Sequence, residues 1–163
     1  MVRTALLIAS AVALLLGCAG SSGSLPEEST ARRSAAALHP AGDLAVRTAV
    51  SMIGAPYRYG GASPSGFDCS GLVVYSYARA GRPGLPQSAS ELERIAKPIS
   101  LDELEPGDLL FFQLSRKKTS HVGIYVGDRT FVHAPSSGKR VERVRFDHVY
   151  WSRHLGRAGR LTP

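Results

Sequence analysis

The stretch "SPSGFDCSGLVVYSYARAG", from Ser63 to Gly81, joins an Asp- and Gly-rich turn to the start of a helix. Asp68 has the side chain of an N-cap, so the sequence predicts a helix from about Cys69 to Ala80, which Gly81 ends. A cysteine at a helix start meets unpaired backbone N–H groups and the positive end of the helix dipole, and both favour the thiolate. The stretch therefore raises the hypothesis that Cys69 is a nucleophile and not a small core residue.

The rest of the pattern places helices before strands. Residues 43–54, "DLAVRTAVSMIG", predict a helix that Asp43 caps, and residues 86–96, "PQSASELERIA", predict a short one. After "LEPGDLLFF" the apolar period changes toward two, which predicts strands at Leu109–Phe112, Val122–Val126 and Phe131–Ala134. Helices followed by strands indicate an α+β fold and not alternating βαβ units.

Composition allows one globular domain. The chain has 163 residues, 44% of them hydrophobic and 20% charged, with a formal net charge of +7. A basic protein suits an anionic partner, but the Lys and Arg residues are scattered and form no dense block with aromatic residues between them. We therefore interpret the charge as a solvated basic surface and expect no nucleic-acid partner.

The first residues read as an export signal. "MVRTALLIASAVALLLGC" has a charged start at Arg3, a short apolar run and a small residue at Gly17. The end of this stretch resembles the lipobox of bacterial lipoproteins, with Leu15, Gly17 and Cys18 in the expected places. That resemblance implies a signal peptide over residues 1–17 and a lipidated Cys18. The alternative is an ordinary signal peptide in which Cys18 has no role.

A tether and one domain follow the signal. Residues 18–42, rich in Ser, Gly, Ala and Pro, predict a flexible linker behind the lipidated cysteine. Residues 43–163 then form the domain. Ala19 stands where an Asp commonly marks retention in the inner membrane of Gram-negative bacteria. We therefore expect a lipoprotein of the outer membrane that faces the periplasm.

Two histidines accompany the unpaired thiol. If Cys18 carries lipid, Cys69 has no disulfide partner in an oxidising compartment, which calls for an explanation. A thiol nucleophile needs a histidine to carry its proton. "HVGIYVGDRTFVHA" places His121 and His133 at the ends of a predicted hairpin. A three-residue loop puts both histidines on one face and leaves room for an imidazole at Gly123, whereas a two-residue loop over Gly127 and Asp128 puts them on opposite faces.

The ordered set "PYRYGG", "FDCSG", "LEPGDLLFF", "HVGIYVGDRTFVHA" and "YWSRHLGRAGRL" resembles the NlpC-type cell-wall peptidases, a papain-like family. The resemblance covers roughly residues 43–161. It implies a nucleophile at a helix N-terminus packed on an antiparallel sheet. It also implies roles for six residues: Cys69 as nucleophile, His121 as general base, His133 orienting His121, Tyr57 at the oxyanion, and Asp68 and Ser70 lining the substrate cleft.

The same resemblance implies a substrate. Short lipoprotein members of this family act on peptidoglycan stem peptides, and we expect hydrolysis of peptide cross-links, with cleavage between D-Glu and diaminopimelate as the next choice. No cofactor or metal is expected, and the protein is expected to be a monomer. Two positions depart from the family pattern, because Arg129 stands where many relatives have Gly and Gln87 stands where they often have Arg.

Three rival hypotheses remain at the level of sequence. Cys69, His121 and His133 are ligand types that suit a hydrolytic zinc site, although no HExxH motif is present. A catalytically silent wall-binding lipoprotein can have the same fold. A lipid-directed acyltransferase of the related permuted fold has its histidine elements before its cysteine, whereas here Cys69 comes first.

Overall fold

The computed structural model describes residues 40–114 and 118–162. Four α-helices and eight strands follow one another along these residues: α1 (Pro40–Ser51), β1 (Ala62–Ser63), β2 (Gly66–Phe67), α2 (Cys69–Arg79), α3 (Ala89–Ile95), β3 (Lys97–Ile99), β4 (Leu109–Phe112), β5 (His121–Gly127), β6 (Thr130–His133), β7 (Glu142–Arg145), α4 (Val149–His154) and β8 (Leu155–Arg160). A 3₁₀ turn at Leu101–Glu103 precedes β4. The expected α+β order is confirmed.

The main sheet has six strands in the order β3-β8-β4-β5-β6-β7, and every neighbouring pair is antiparallel. Helices α1 and α2 pack against each other and against β5. Apolar side chains of α2, β4 and β5 form the larger core cluster, among them Leu72, Val73, Phe111 and Val122. A smaller cluster around Leu110, Phe112 and Phe131 lies under α4 and β8. None of the described helices is long and apolar enough to cross a membrane.

Helix α2 is fixed at its first turn. Asp68 is its N-cap, as expected, and its Oδ1 accepts a hydrogen bond of 2.6 Å from the backbone N–H of Gly71. The backbone N–H of Asp68 donates to the carbonyl of Gly61 at 2.9 Å. A Cβ at Gly71 would lie 1.9 Å from that same carbonyl oxygen, so only glycine permits this approach. The turn therefore holds the start of α2, and with it Cys69, against the loop over residues 57–61.

Several expectations about elements need correction. Helix α1 begins at Pro40, so Asp43 lies in its first turn instead of capping it. Proline is favoured in the first turn because its missing N–H has no helical partner there. Residues 40–42 are accordingly helical and not part of a flexible linker, while residues 1–39 lie outside the described residues. The sequence pattern predicts only β4, β5 and β6, so β1, β2, β3, β7 and β8 are additional strands.

Candidate active site

The β5–β6 hairpin sets the register of the two histidines. Ile124 pairs with Val132 and Tyr125 with Phe131, which is the register expected from a three-residue loop. The tight turn itself is Asp128-Arg129, at φ of 52° and 56°, and the register shifts between Tyr125 and Gly127. A simple two-residue loop over Asp128 and Arg129 would shift the pairing of the two strands by one residue. The extra residue at the irregularity cancels that shift, so the pairs beyond it are those of a three-residue loop. Both histidine side chains consequently lie on one face of the sheet.

The two imidazoles are in direct contact. His121 Nε2 and His133 Nδ1 are 2.8 Å apart, so one nitrogen carries a hydrogen and the other accepts it. The expectation that the rings share a face is confirmed. The expectation about Gly123 is wrong, because the space where its Cβ would stand is occupied by the ring of Phe131, at 2.3 Å.

Aromatic rings enclose the pair. Trp151 stacks on His121 with 5.7 Å between ring centroids and 27° between planes, and it meets His133 edge-on at 4.8 Å. Phe112 and Phe131 close the remaining sides. His121 is 3% exposed and His133 is fully buried. Burial lowers the pKa of both rings, since a charged imidazole loses its hydration there, so both are neutral at neutral pH.

Cys69 lies at the start of α2, beside the first residues of β5. Backbone hydrogen bonds from Val122 and Ser70 reach the sulfur. The sulfur packs with the larger core cluster, whereas the rings around the histidines belong to the smaller one. The thiol therefore lies on the face of the sheet that holds the larger cluster and the imidazoles lie on the other face, both near the start of β5. No hydrogen bond joins Cys69 to His121 within the described parts of the chain. Such contacts are often long before substrate binds.

The thiol is not the thiolate that its helix position suggested. Burial raises the pKa of Cys69 and the carboxylate of Asp68 raises it further, and these effects outweigh the backbone N–H groups that favour the anion. Burial therefore acts against the preference for thiolate that the helix start alone gives. If Cys69 is a nucleophile, a base therefore has to take the thiol proton as the sulfur attacks.

A cleft of about 630 Å³ opens over Cys69. Tyr57 lines it, and burial together with the charges of Cys69 and Asp68 raises the pKa of its hydroxyl, so that hydroxyl stays a hydrogen-bond donor. Ser70 is buried and donates to Asp68 Oδ1 at 3.0 Å. Gln87 donates weakly to Asp68 Oδ2 at 3.5 Å. The cleft thus contains Tyr57, Asp68 and Ser70, whose expected roles stay predictions, together with Gln87.

The zinc hypothesis does not fit this geometry. His121 Nε2 and His133 Nδ1 face each other at 2.8 Å, so these two nitrogens cannot both bind one ion. Within residues 40–114 and 118–162 no three His, Cys, Asp or Glu side chains are arranged to hold a metal.

The fold and the cleft are those of a papain-like domain, and comparisons with known proteins show which family it belongs to. The NlpC/P60 family model matches residues 54–160, so the chain belongs to the NlpC/P60 family. Murein DD-endopeptidase MepH of Escherichia coli K12 is 41% identical over 125 residues, covering 74% of this chain and 46% of that protein. Probable endopeptidase NlpC of the same organism is 42% identical over 109 residues, covering 66% of this chain and 70% of that protein.

A solved structure supports the same placement. The NlpC/p60 domain of the peptidoglycan hydrolase SagA superimposes with a TM-score of 0.63 at 34% identity, over 72% of this chain and 97% of that domain. The chain spans about half the length or less of the first curated relatives it matches, 46% and 26% of the first two. The match therefore covers the peptidase domain and not the whole of those relatives.

The state of the thiol gives a first prediction. In a Cys18→Ser chain, where Cys69 is the only cysteine, the rate of alkylation by iodoacetamide is expected to rise with pH to a midpoint above the ordinary thiol pKa of 9.0. Burial raises that pKa because the thiolate loses hydration. The measurement is the pseudo-first-order rate between pH 5 and 10.5, with a doubly substituted Cys18→Ser, Cys69→Ser chain as the blank. A plateau already reached at neutral pH would show a resting thiolate–imidazolium pair and contradict this account.

Proposed function

We propose that this protein is a peptidoglycan endopeptidase that hydrolyses peptide cross-links of the bacterial cell wall through Cys69. The observation that carries the proposal is a cysteine at a helix N-terminus that lines an open cleft and is bonded to the backbone of Val122, the residue next to His121 of the buried histidine pair. Membership of the NlpC/P60 family supports it, and so does the name of the relative MepH, a murein DD-endopeptidase. Cleavage between D-Glu and diaminopimelate is the second choice of bond.

The proposed reaction runs in two halves. As Cys69 Sγ attacks the carbonyl carbon of the scissile peptide, the thiol proton passes to the free ring nitrogen of His121, which is Nδ1 because Nε2 is engaged with His133. The same proton then goes to the leaving amine, and a thioester to Cys69 remains. Water, deprotonated by His121, hydrolyses the thioester and regenerates the thiol.

The start of α2 stabilises the charge that forms on the carbonyl oxygen. The backbone N–H of Cys69 is one of the unpaired donors of the first helical turn, and the Tyr57 hydroxyl lines the same cleft. Donors directed at a developing oxyanion in a partly dehydrated site contribute more than they would in water. Asp68 holds the turn in place through its bond to Gly71.

The function is tested on purified sacculi. Cys69→Ala is expected to lower release of muropeptides by at least about 10³-fold, because without the sulfur no thioester forms. Mass spectrometry of the products identifies the bond: loss of cross-linked dimers with matching gain of monomers indicates cross-link hydrolysis, and new termini at D-Glu indicate the second choice.

The other cysteine provides the matched control. Cys18→Ala makes the same chemical change outside the described domain. In an assay without detergent, its release of muropeptides is expected to stay within about 2-fold of that of the parent chain. Equal release by the parent and Cys69→Ala chains would show that Cys69 is not the nucleophile. If the parent chain binds sacculi but releases nothing, the silent wall-binding lipoprotein is the better account.

We further propose that the enzyme is exported and held at the outer membrane by lipid on Cys18, as a monomer facing the periplasm. Support comes from the sequence alone: an apolar run ends at Leu15-Leu16-Gly17-Cys18, and Ala19 follows. Two acyl chains or more anchor a protein stably, because each buried methylene contributes about 0.8 kcal/mol.

Metabolic labelling tests this anchor. In a Gram-negative host the full chain is expected to incorporate labelled palmitate and to sediment with outer-membrane vesicles. Cys18→Ala is expected to lose the label and to leave the outer-membrane fraction. Label that persists in Cys18→Ala would contradict lipidation at this residue, and a labelled chain in the inner-membrane fraction would contradict the location.

A further inference from the structure

His133 has a second ring nitrogen that the histidine pair does not use. His133 is fully buried, and its Nε2 has no hydrogen-bond partner among the residues that the structure describes. Buried nitrogens without a partner are rare because their hydration is lost without replacement. The carboxylate of Glu142 is the nearest acid, with Oε1 at 3.5 Å from Nε2, a distance at which the charges interact but no directed hydrogen bond has formed.

The sheet fixes Glu142 in that place. Glu142 is the direct cross-strand partner of His133 in the β6–β7 register, so both side chains project from the same face. The side chain of Glu142 is 46% exposed. It lines a second groove of about 450 Å³, together with Lys139, His148 and Trp151. One end of the carboxylate therefore faces the buried imidazole and the other faces solvent.

We propose that Glu142 is a positioning residue for the catalytic histidines. A small rotation of its half-exposed side chain brings the carboxylate from 3.5 Å to hydrogen-bonding distance, where it accepts the Nε2–H of His133 and leaves Nδ1 of His133 as the acceptor for the Nε2–H of His121. His121 is then the tautomer whose Nδ1 is unprotonated and can take the proton of Cys69. The inference rests on the proposed function, because it assigns a role within that reaction.

The reverse arrangement would be inactive. If His133 instead donated from Nδ1, His121 Nε2 would be the acceptor and the only hydrogen of neutral His121 would stand on Nδ1. That nitrogen could not accept the thiol proton. The 2.8 Å contact alone permits either direction, whereas a carboxylate opposite His133 Nε2 favours the active one, since a carboxylate accepts and never donates when ionised.

The carboxylate also balances charge during the reaction. When His121 takes the thiol proton, the positive charge lies in a pair enclosed by aromatic rings. The other charged groups near His133 oppose that positive charge. After burial, which is the largest cause, the charges of His121 and Lys139 also lower the pKa of His133. Within the described parts of the chain, Glu142 is the one carboxylate within ion-pair distance of His133. The nearest measured analogue is the outer partner of a metal-bound imidazole, whose loss commonly costs about 10- to 100-fold in metal affinity or activity.

The experiment compares the full-length protein with its Glu142→Ala and Glu142→Gln variants on purified sacculi. Glu142→Ala is expected to lower kcat about 10- to 100-fold with KM within about 2-fold, since Glu142 lies outside the cleft over Cys69. The kcat of Glu142→Gln is expected to lie between those of the parent protein and Glu142→Ala, because glutamine keeps an acceptor oxygen but loses the charge. Asp102→Asn is the matched control, an exposed carboxylate of the 3₁₀ turn, expected to act like the parent protein.

Added formate gives the decisive readout. The groove is open to solvent at Glu142, so formate at high concentration is expected to restore part of the activity that Glu142→Ala loses while leaving the parent protein and Asp102→Asn unchanged. A merely structural role predicts a lower melting temperature and no restoration by formate, and that result overturns the proposal. Unchanged kcat in Glu142→Ala overturns it as well.

Failure of the proposed function is distinguishable from failure of this role. If the parent protein cleaves sacculi, the variant results bear on Glu142 alone. If the parent protein releases no muropeptides, the rate of Cys69 alkylation at pH 7, measured with Cys18→Ser added to each chain, still ranks the variants, because the proposal makes His121 the base for that thiol. Equal alkylation rates in the parent and Glu142→Ala chains then overturn the positioning role.

Discussion

A hydrogen bond between two buried imidazoles is the constraint on which the rest of this site depends. Once His121 and His133 are removed from water, each ring must find partners inside the protein, and at 2.8 Å they find each other. The contact exists only in one hairpin register, because a slip of one residue would send one ring to the opposite face. The positive φ values at Asp128 and Arg129 accompany that register. Local backbone strain at the turn is thus tied to the chemistry at the other end of the strands.

The surroundings of the pair set its resting charge. Trp151, Phe112 and Phe131 exclude water from the rings, and the thiol across the sheet end is partly buried as well. Desolvation therefore raises the pKa of Cys69 and lowers that of His121, and both shifts favour the neutral pair. In the proposed reaction, charge separates only when a substrate is present whose carbonyl oxygen takes up the negative charge, and the backbone N–H groups at the start of α2 are the donors proposed for that oxygen.

Local rules were sufficient for part of the structure. The turn before Cys69 contains its own N-cap, so the start of α2 followed from the sequence. The spacing of the histidines limited their register to two alternatives, and the structure shows which one occurs. The burial of Cys69 could not be predicted from the local sequence in the same way. The helix dipole suggested a thiolate at Cys69, and only the packing of the domain shows that desolvation dominates. The start of α1 was also missed, because Pro40 was assigned to a linker on composition.

The partners behind the histidines were missed for a different reason. Strand β7, "ERVR", alternates charged residues with a single valine and offers little apolar period, so Glu142 had no recognisable neighbour in the sequence. Trp151 lies in the segment "YWSRHLGRAGRL", whose resemblance to the family implies no role for it. Glu142 reaches the site because β7 pairs with β6, and Trp151 reaches it because α4 packs over the sheet. Such long-range placement carries no signal at the level of single-residue patterns.

Nitrogen-15 NMR of the histidine side chains tests the central claim most directly. The two ring nitrogens of a neutral imidazole differ strongly in chemical shift according to which one carries hydrogen, and His121 and His133 are both neutral at neutral pH. The account predicts hydrogen on Nε2 and a bare Nδ1 in both rings at pH 7. Hydrogen on Nδ1 of His121 in the active protein would contradict it, because that nitrogen could then take no proton from Cys69.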